Sequence, residues 1–330
     1  MKLQFYKILL LALGCLGAIP SDAGESTGAE FCERVKNLTG ITIVPHFITP
    51  DIDGYMIPPF DTHEENRNHY DDRPHGSLTS IKSLVMHYTV CDFPTTLNLF
   101  TKDIPDGRVS ASYVISETDE VSNIPGGKIV QIAPDSKRTW HAGVSRWREI
   151  INLNGRSLGI ENVNKGFIGP DASRQWYSFD PVQIDALGKL SQAIVRKYHI
   201  QPAYIVGHSD IAPLRKSDPG ILFPWEELYA NYGVGAWLDP EEQNDPSKIN
   251  QYCPKEQLPG DINVAFMSTY LKEYGYNVEV TAYISDEFKD TLKAFKAHFS
   301  YNQRPEQYNS DLTERDLYWV WALASKYKAT

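Results

Sequence analysis

The sequence predicts an α/β (α+β) fold, with a central mixed sheet flanked by helices and a second, small, mostly helical C-terminal domain. Two observations carry this reading. From residue 81 onward, short apolar runs of strand length alternate with loops and one amphipathic helical stretch. After residue 263 the apolar positions recur at helical spacing instead. No internal repeat is present.

Taken in order, residues 1–23 read as a signal peptide. Lys2 and Lys7 precede the apolar run Ile8 to Ile19, and Ser21-Asp22-Ala23 offers small residues for a cut before Gly24. Leu11-Ala12-Leu13-Gly14-Cys15 offers a rival cut that would place a lipid on Cys15. The chain is therefore expected to be exported, periplasmic or secreted, with an outer-membrane lipoprotein as the alternative. Residues 24–80 form a polar, Pro-rich N-terminal extension. Its His/Asp/Asn cluster from Asp61 to His75 has no regular ligand spacing and reads as a solvated loop. Strands are expected at Ser83 to Tyr88, Ser110 to Ile115, Ile129 to Ala133, Leu158 to Val163 and Ala203 to Val206. Asp180-Pro181 starts a helix whose face carries Ile184, Leu187, Ile194 and Tyr198. These elements make 81–238 one domain. The polar stretch 239–262 reads as a linker. In 263–330 three helical faces follow: Val264, Met267, Leu271 and Tyr274; Phe288, Leu292, Phe295 and Phe299; and, after the start signal Thr313 and Asp316, Leu317, Val320, Trp321 and Ala324.

The composition excludes some classes. With 330 residues, 42% hydrophobic and 22% charged, the chain can bury real cores and is not of disordered type. A formal charge of −10 argues against a general nucleic-acid binder. Beyond the N-terminus no apolar run is long enough to span a membrane. Signal cleavage leaves Cys32, Cys91 and Cys253, so one thiol stays unpaired within the chain. The expected pair is Cys32 with Cys253, which flank the middle of the chain.

Three segments can carry chemistry. His87 ends a strand in Val85-Met86-His87-Tyr88-Thr89. His208 follows a strand in Val206-Gly207-His208-Ser209-Asp210. Asp218 lies on the next loop, in Lys216-Ser217-Asp218-Pro219-Gly220. Two imidazoles and a carboxylate make a three-ligand zinc site with an open fourth position, the arrangement of a catalytic metal. Strand-end histidines are often structural, and an Asp before Pro is equally a turn residue. Glu161 sits inside an apolar strand, where a carboxylate needs a purpose: a general base, or a partner for a cation. Lys216, two residues before Asp218, is either an oxyanion donor or a solvated lysine.

Several segments together resemble a known family. His87-Tyr88-Thr89, Trp140-His141-Ala142-Gly143-Val144-Ser145, Leu153-Asn154, Ser157-Leu158-Gly159-Ile160-Glu161, Gly207-His208-Ser209-Asp210-Ile211-Ala212-Pro213 and Lys216-Ser217-Asp218-Pro219-Gly220 are similar to the zinc-dependent N-acetylmuramoyl-L-alanine amidases of type 2. That family is related to peptidoglycan recognition proteins. Phe223-Pro224-Trp225 and Gly233-Val234-Gly235-Ala236-Trp237 resemble its exported, two-domain branch. The resemblance covers about 81–238 in matching order. It implies that His87, His208 and Asp218 bind Zn2+, that Glu161 is the catalytic carboxylate, that Lys216 assists the oxyanion, and that Trp140 and His141 contact substrate. More loosely, Tyr274-Gly275-Tyr276, Ala294 to Phe299 and the last helix resemble a peptidoglycan-binding domain. Ser112 stands where family members often carry a His. Cys91, four residues after His87, is a further conceivable ligand.

The expected activity is hydrolysis of the amide between N-acetylmuramic acid and L-alanine in peptidoglycan or muropeptides. No nucleic acid and no stable protein partner is implied. The rivals are a non-catalytic peptidoglycan recognition module and a zinc peptidase acting within the stem peptide. Every proposed catalytic residue precedes 239, so 81–238 is expected to cleave small muropeptides by itself.

Overall fold

The computed structural model describes Cys32 and residues 47–48, 69–74, 81–102, 109–119, 124–170, 173–299 and 304–328. The expected signal peptide, Cys15 and most of the Asp61 to His75 cluster lie outside the described residues.

The centre is a six-stranded mixed sheet. In chain order its strands are β1 (Phe47–Ile48), β2 (Ser83–Tyr88), β3 (Tyr113–Ile115), β4 (Ile129–Gln131), β5 (Ser157–Asn162) and β6 (Ile205–Gly207). Their order across the sheet is β1-β4-β3-β5-β2-β6. Strands β3, β5, β2 and β6 are mutually parallel, and β4 pairs antiparallel with both β3 and β1. Parallel strands are covered on both faces, and every residue of β5 and all but the last of β2 is buried.

Helix α1 (Phe93–Thr101) starts at Asp92, whose carboxylate accepts from the Thr95 N–H. Helix α2 (Pro181–Tyr198) starts as expected, with Asp180 accepting from the Val182 N–H and Pro181 in the first turn. Phe93, Leu97 and Phe100 of α1 pack with Val114, Val130 and Val163 in one core. Leu187, Leu190 and Ile194 of α2 belong to a larger core with Leu84, Met86, Tyr113 and Ile160. Adjacent residues of β3 thus serve different cores, Val114 one and Tyr113 and Ile115 the other, as the alternation of a strand requires.

The cysteine expectation is corrected. Cys32 is bonded to Cys91, with Cα atoms 5.4 Å apart, while Cys253 is exposed. Cys91 lies in the turn between β2 and α1, inside the smaller core, and its sulfur is committed there rather than to a metal. The solvated-loop reading of Asp61 to His75 is also corrected for its described part. Tyr70–Asp72 pairs with the strand Lys137–Thr139, and both His69 and Arg73 are buried. Arg73 donates from Nε to the Asp135 carbonyl (2.8 Å) and from Nη2 to the Ser157 carbonyl (3.0 Å).

The remaining helices are α3 (His208–Ile211), α4 (Trp225–Tyr232), α5 (Pro246–Ile249), α6 (Val264–Tyr274), α7 (Asp286–His298) and α8 (Glu314–Lys326). The last begins with the expected capping box of Thr313 and Asp316. Residues 239–262, expected as a linker, are folded against α8. Lys326 reaches Asp239 (2.9 Å) and the buried Glu242 (2.6 Å), and Trp321 Nε1 donates to the Glu256 carbonyl (2.7 Å). The polar composition of that stretch supplies acceptors for the C-terminal helix rather than solvation.

The larger core continues without a break from the sheet into the C-terminal helices. Trp147, fully buried, meets Tyr276 edge-on at 4.9 Å and Tyr274 at 5.8 Å, and the Arg148 N–H donates to the Gly275 carbonyl at 2.9 Å. Tyr274, Tyr276, Phe295 and Phe299, which carried the peptidoglycan-binding resemblance, are core residues. Among the described residues no helix is long and apolar enough to cross a membrane.

Candidate active site

Strand register assembles the site. In the parallel pair β2 and β5, His87 lies opposite Glu161. In the pair β2 and β6, Gly207 lies opposite Met86, so the next residue, His208, arrives at the level of His87. Three adjacent parallel strands therefore deliver His87, Glu161 and His208 in one row at their C-terminal ends, where open α/β sheets place ligands. The loop after α3 returns to this row. The Ser209 N–H donates to the Asp218 carbonyl at 2.8 Å, and the Asp218-Pro219 peptide is cis. Gly207 has no room for a side chain, since a Cβ there would lie 2.7 Å from Pro219 Cδ.

Among the described residues, His87, His208 and Asp218 are the one cluster of three with metal-ligand geometry. His87 Nδ1 is 2.9 Å from Asp218 Oδ2 and 3.1 Å from His208 Nδ1, and His208 Nδ1 is 3.1 Å from Asp218 Oδ2. Metal–ligand bonds of 2.0–2.1 Å in a tetrahedron set donor atoms about 3.3 Å apart, close to this triangle.

The hydrogen-bond partners behind the triangle fix which nitrogens carry protons. Ser157 Oγ donates to the Leu153 carbonyl (2.7 Å), so it accepts from His141 Nε2 (3.1 Å). His141 Nδ1 is then an acceptor and takes the proton of His87 Nε2 (3.1 Å). His87 Nδ1 is left with a lone pair. His208 Nε2 faces the Ala142 carbonyl at 3.2 Å and must be its donor, so His208 Nδ1 also carries a lone pair. Burial holds His208 down to about 3, against the opposing pull of Asp218, and holds His141 well below the usual imidazole range. Two neutral imidazole lone pairs and a carboxylate thus converge on one point, a donor set that repels itself without a cation.

Glu161 is buried beside this triangle. Burial first, and then the Asp218 charge, push its carboxyl well above the ordinary value, with Lys216 pulling the other way. Its Oε2 is buried without a hydrogen-bond partner among the described residues. Lys216 is itself buried and lines the same small cavity as Glu161, His87, His208 and Asp218, so the solvated-lysine alternative does not hold. Trp140 borders this cavity, with the Arg138 guanidinium 4.6 Å from its ring.

His141, expected as a substrate contact, lines the same cavity beside His87. Its ring is buried behind His87 with both nitrogens engaged. Ser112, at the position where relatives often carry His, is buried in the sheet and accepts from the Gly159 N–H at 3.3 Å. Sequence reading gave no role to three residues that the site uses. Gly159 leaves room for the His141 ring, whose Cγ would lie 2.5 Å from a Cβ there. Ser157 orients His141. Asn154 Oδ1 accepts from the His141 and Ala142 N–H groups at 3.1 and 2.7 Å. The signal was present in Leu153-Asn154, in the helical turn before β5, and in Ser157-Leu158-Gly159, at its start, but only the fold shows what they touch.

Comparison with known proteins shows the family of the chain. Residues 77–221 match the family described as N-acetylmuramoyl-L-alanine amidase. N-acetylmuramoyl-L-alanine amidase AmiD of Escherichia coli K12 is 36% identical over 249 residues, 75% of this chain and 83% of that protein. The solved complex of E. coli AmiD with anhydro-N-acetylmuramic acid-L-Ala-D-gamma-Glu-L-Lys matches with a TM-score of 0.61, covering 75% of this chain and 90% of that one. AmpDh3 of Pseudomonas aeruginosa, solved with anhydromuramic pentapeptide, is 32% identical with a TM-score of 0.62 and covers 82% of this chain and 99% of that one. With its fold, its His-His-Asp cluster and these similarities, the chain belongs to the N-acetylmuramoyl-L-alanine amidase family.

Proposed function

We propose that this protein hydrolyses the amide between the lactyl group of N-acetylmuramic acid and L-alanine, in peptidoglycan or its fragments, with zinc held by His87, His208 and Asp218. The observation that carries the reading is the convergence of two imidazole lone pairs and a carboxylate beside a buried Glu and a buried Lys. Zinc supplies Lewis-acid polarisation of the scissile carbonyl and acidifies water. Glu161, its carboxylate facing the same cavity, takes a proton from the attacking water and returns it to the leaving L-alanine amine. Lys216 donates to the oxyanion of the tetrahedral species. His141 and Ser157 hold His87 in the tautomer that keeps Nδ1 free. Trp140, whose Nε1 is buried without a partner among the described residues, offers a ring and a donor to the sugar or peptide.

Export belongs to this reading, because the substrate lies outside the cytoplasmic membrane. It is supported by the Lys2, Lys7 and Ile8 to Ile19 pattern, with a cut before Gly24 or lipidation at Cys15. Residues 263–330 are the part proposed to contact the wall, and the exposed Tyr283 and Ile284 between α6 and α7 support that role. The test is a digest of a defined muropeptide followed by mass spectrometry. The expected products are a peptide with a free L-Ala amine and an intact muramic acid. Cleavage inside the stem peptide would make the enzyme a peptidase, and binding without cleavage a recognition module.

A further inference from the structure

His208 is held by very little of its own. Helix α3 is four residues long, and its one turn is closed by the Ala212 N–H on the His208 carbonyl at 3.0 Å. So short a helix has no independent stability. Two residues after His208, Asp210 is buried, and its carboxylate gathers three donors. The Gly207 N–H reaches Oδ2 at 2.7 Å and caps α3 from within. The other two come from the far end of the chain. His298 Nδ1, in the last residue of α7, meets Oδ2 at 2.6 Å, and Tyr276 OH, just after α6, donates to Oδ1 at 2.6 Å.

Both distant donors are fixed in place. The His298 ring is stacked between Trp225 (centroids 3.7 Å apart, planes 14° apart) and Phe299 (4.1 Å, 11°). A phenyl ring would satisfy that stack. The imidazole instead leaves Nε2 buried with no partner among the described residues, while Nδ1–H serves Asp210. Tyr276 is buried against Trp147. A polar group kept in an apolar stack, with one nitrogen spent on a single carboxylate, indicates that the carboxylate's position matters.

We infer that His298 and Tyr276 are positioning residues of the metal site: acting through Asp210, they set α3 and with it the direction of the His208 Nδ1 lone pair. The C-terminal helices complete the metal site. This rests on the metal reading above and goes beyond it, because none of these three residues touches metal or substrate.

The test measures zinc affinity, by competition with a chelator, and the visible spectrum of the cobalt-substituted full-length protein. The variants are His298→Phe, His298→Asn and Tyr276→Phe. His298→Phe keeps the stacked ring and removes the donor. It is expected to weaken zinc binding by about 10- to 100-fold, the scale for removing a partner behind a metal ligand, and to shift the cobalt bands. Tyr276→Phe, which deletes one oxygen, is expected to act in the same direction by less, and it keeps the test decisive if His298→Phe does not fold. His298→Asn, which returns an N–H near the position of Nδ1, is expected to recover part of the affinity. A merely structural role lowers the thermal stability of metal-free and zinc-loaded protein alike. Wild-type zinc affinity and cobalt spectrum in a folded His298→Phe or Tyr276→Phe protein overturn the inference. Failure of the wild-type protein to take up zinc overturns the metal reading and this inference with it.

Discussion

Two buried His–Asp clusters lie two residues apart on α3, and they are built in opposite ways. Around Asp210 every contact runs from a donor to an acceptor, and the carboxylate is satisfied by Gly207, Tyr276 and His298. Around Asp218 the contacts run from acceptor to acceptor. Both facing imidazole nitrogens carry lone pairs because their other nitrogens are committed to His141 and the Ala142 carbonyl. Both clusters set imidazole against a buried Asp, with contacts of 2.6–2.7 Å around Asp210 and 2.9–3.1 Å around Asp218. What separates a structural knot from a metal site is the direction of the protons, and the next layer of partners sets that direction.

The largest change expected from breaking this contrast is loss of the fold. A chain ending at residue 239 would leave Trp147 and Trp237 without their aromatic neighbours Tyr274, Tyr276 and Trp319. Such a chain is expected to lack a cooperative thermal transition, against the self-sufficient 81–238 that the sequence suggested; a sharp transition would show that the shared core is dispensable. Next in size is His208→Ala, which removes one corner of the triangle and is expected to lose both zinc, by elemental analysis, and amide cleavage. Glu161→Gln is expected to keep its zinc and lose about 10²–10⁴ in turnover, the scale of a positioned proton carrier. Zinc lost along with Glu161 would mean that this carboxylate is a ligand. Lys216→Ala is expected to cost about 10²–10³ in kcat at constant zinc content, with Lys216→Arg recovering part. An effect confined to KM would make Lys216 a substrate-binding cation. The smallest effect belongs to Ser157→Ala, which frees His141 to turn over its tautomer. About 10-fold weaker zinc binding with little change in fold is expected, measured by chelator competition.

The parts of the site that were legible in the sequence are those written along a single strand. A His ending one apolar strand, a Glu inside another and a His just after a third become one row once the strands are parallel and in register. Two features made this visible: a charged group where burial forbids it without purpose, and motifs following one another in a known order. The capping signals at Asp180 and Thr313 were equally local and equally legible. What stayed hidden needs distances across the chain. Nothing near Cys32 indicates that Cys91 stands beside it. His141 shares a motif with Trp140 and borders the same cavity, but its contacts with His87 and Ser157 cross 54 and 16 residues of sequence, and the motif does not show them. The polar stretch 239–262 has the composition of a linker because its carboxylates and carbonyls face Lys326 and Trp321, partners 65 to 87 residues away.

The central claim is that one cation completes the lone-pair triangle of His87, His208 and Asp218 and that amide cleavage depends on it. Metal-stripped wild-type protein titrated with zinc, while release of L-Ala-terminated peptide from a defined muropeptide is followed, tests this most directly. The expected result is a rise from background that breaks sharply at one equivalent of zinc per chain. Full cleavage by the stripped protein, or a rise that continues well past one equivalent, would contradict it.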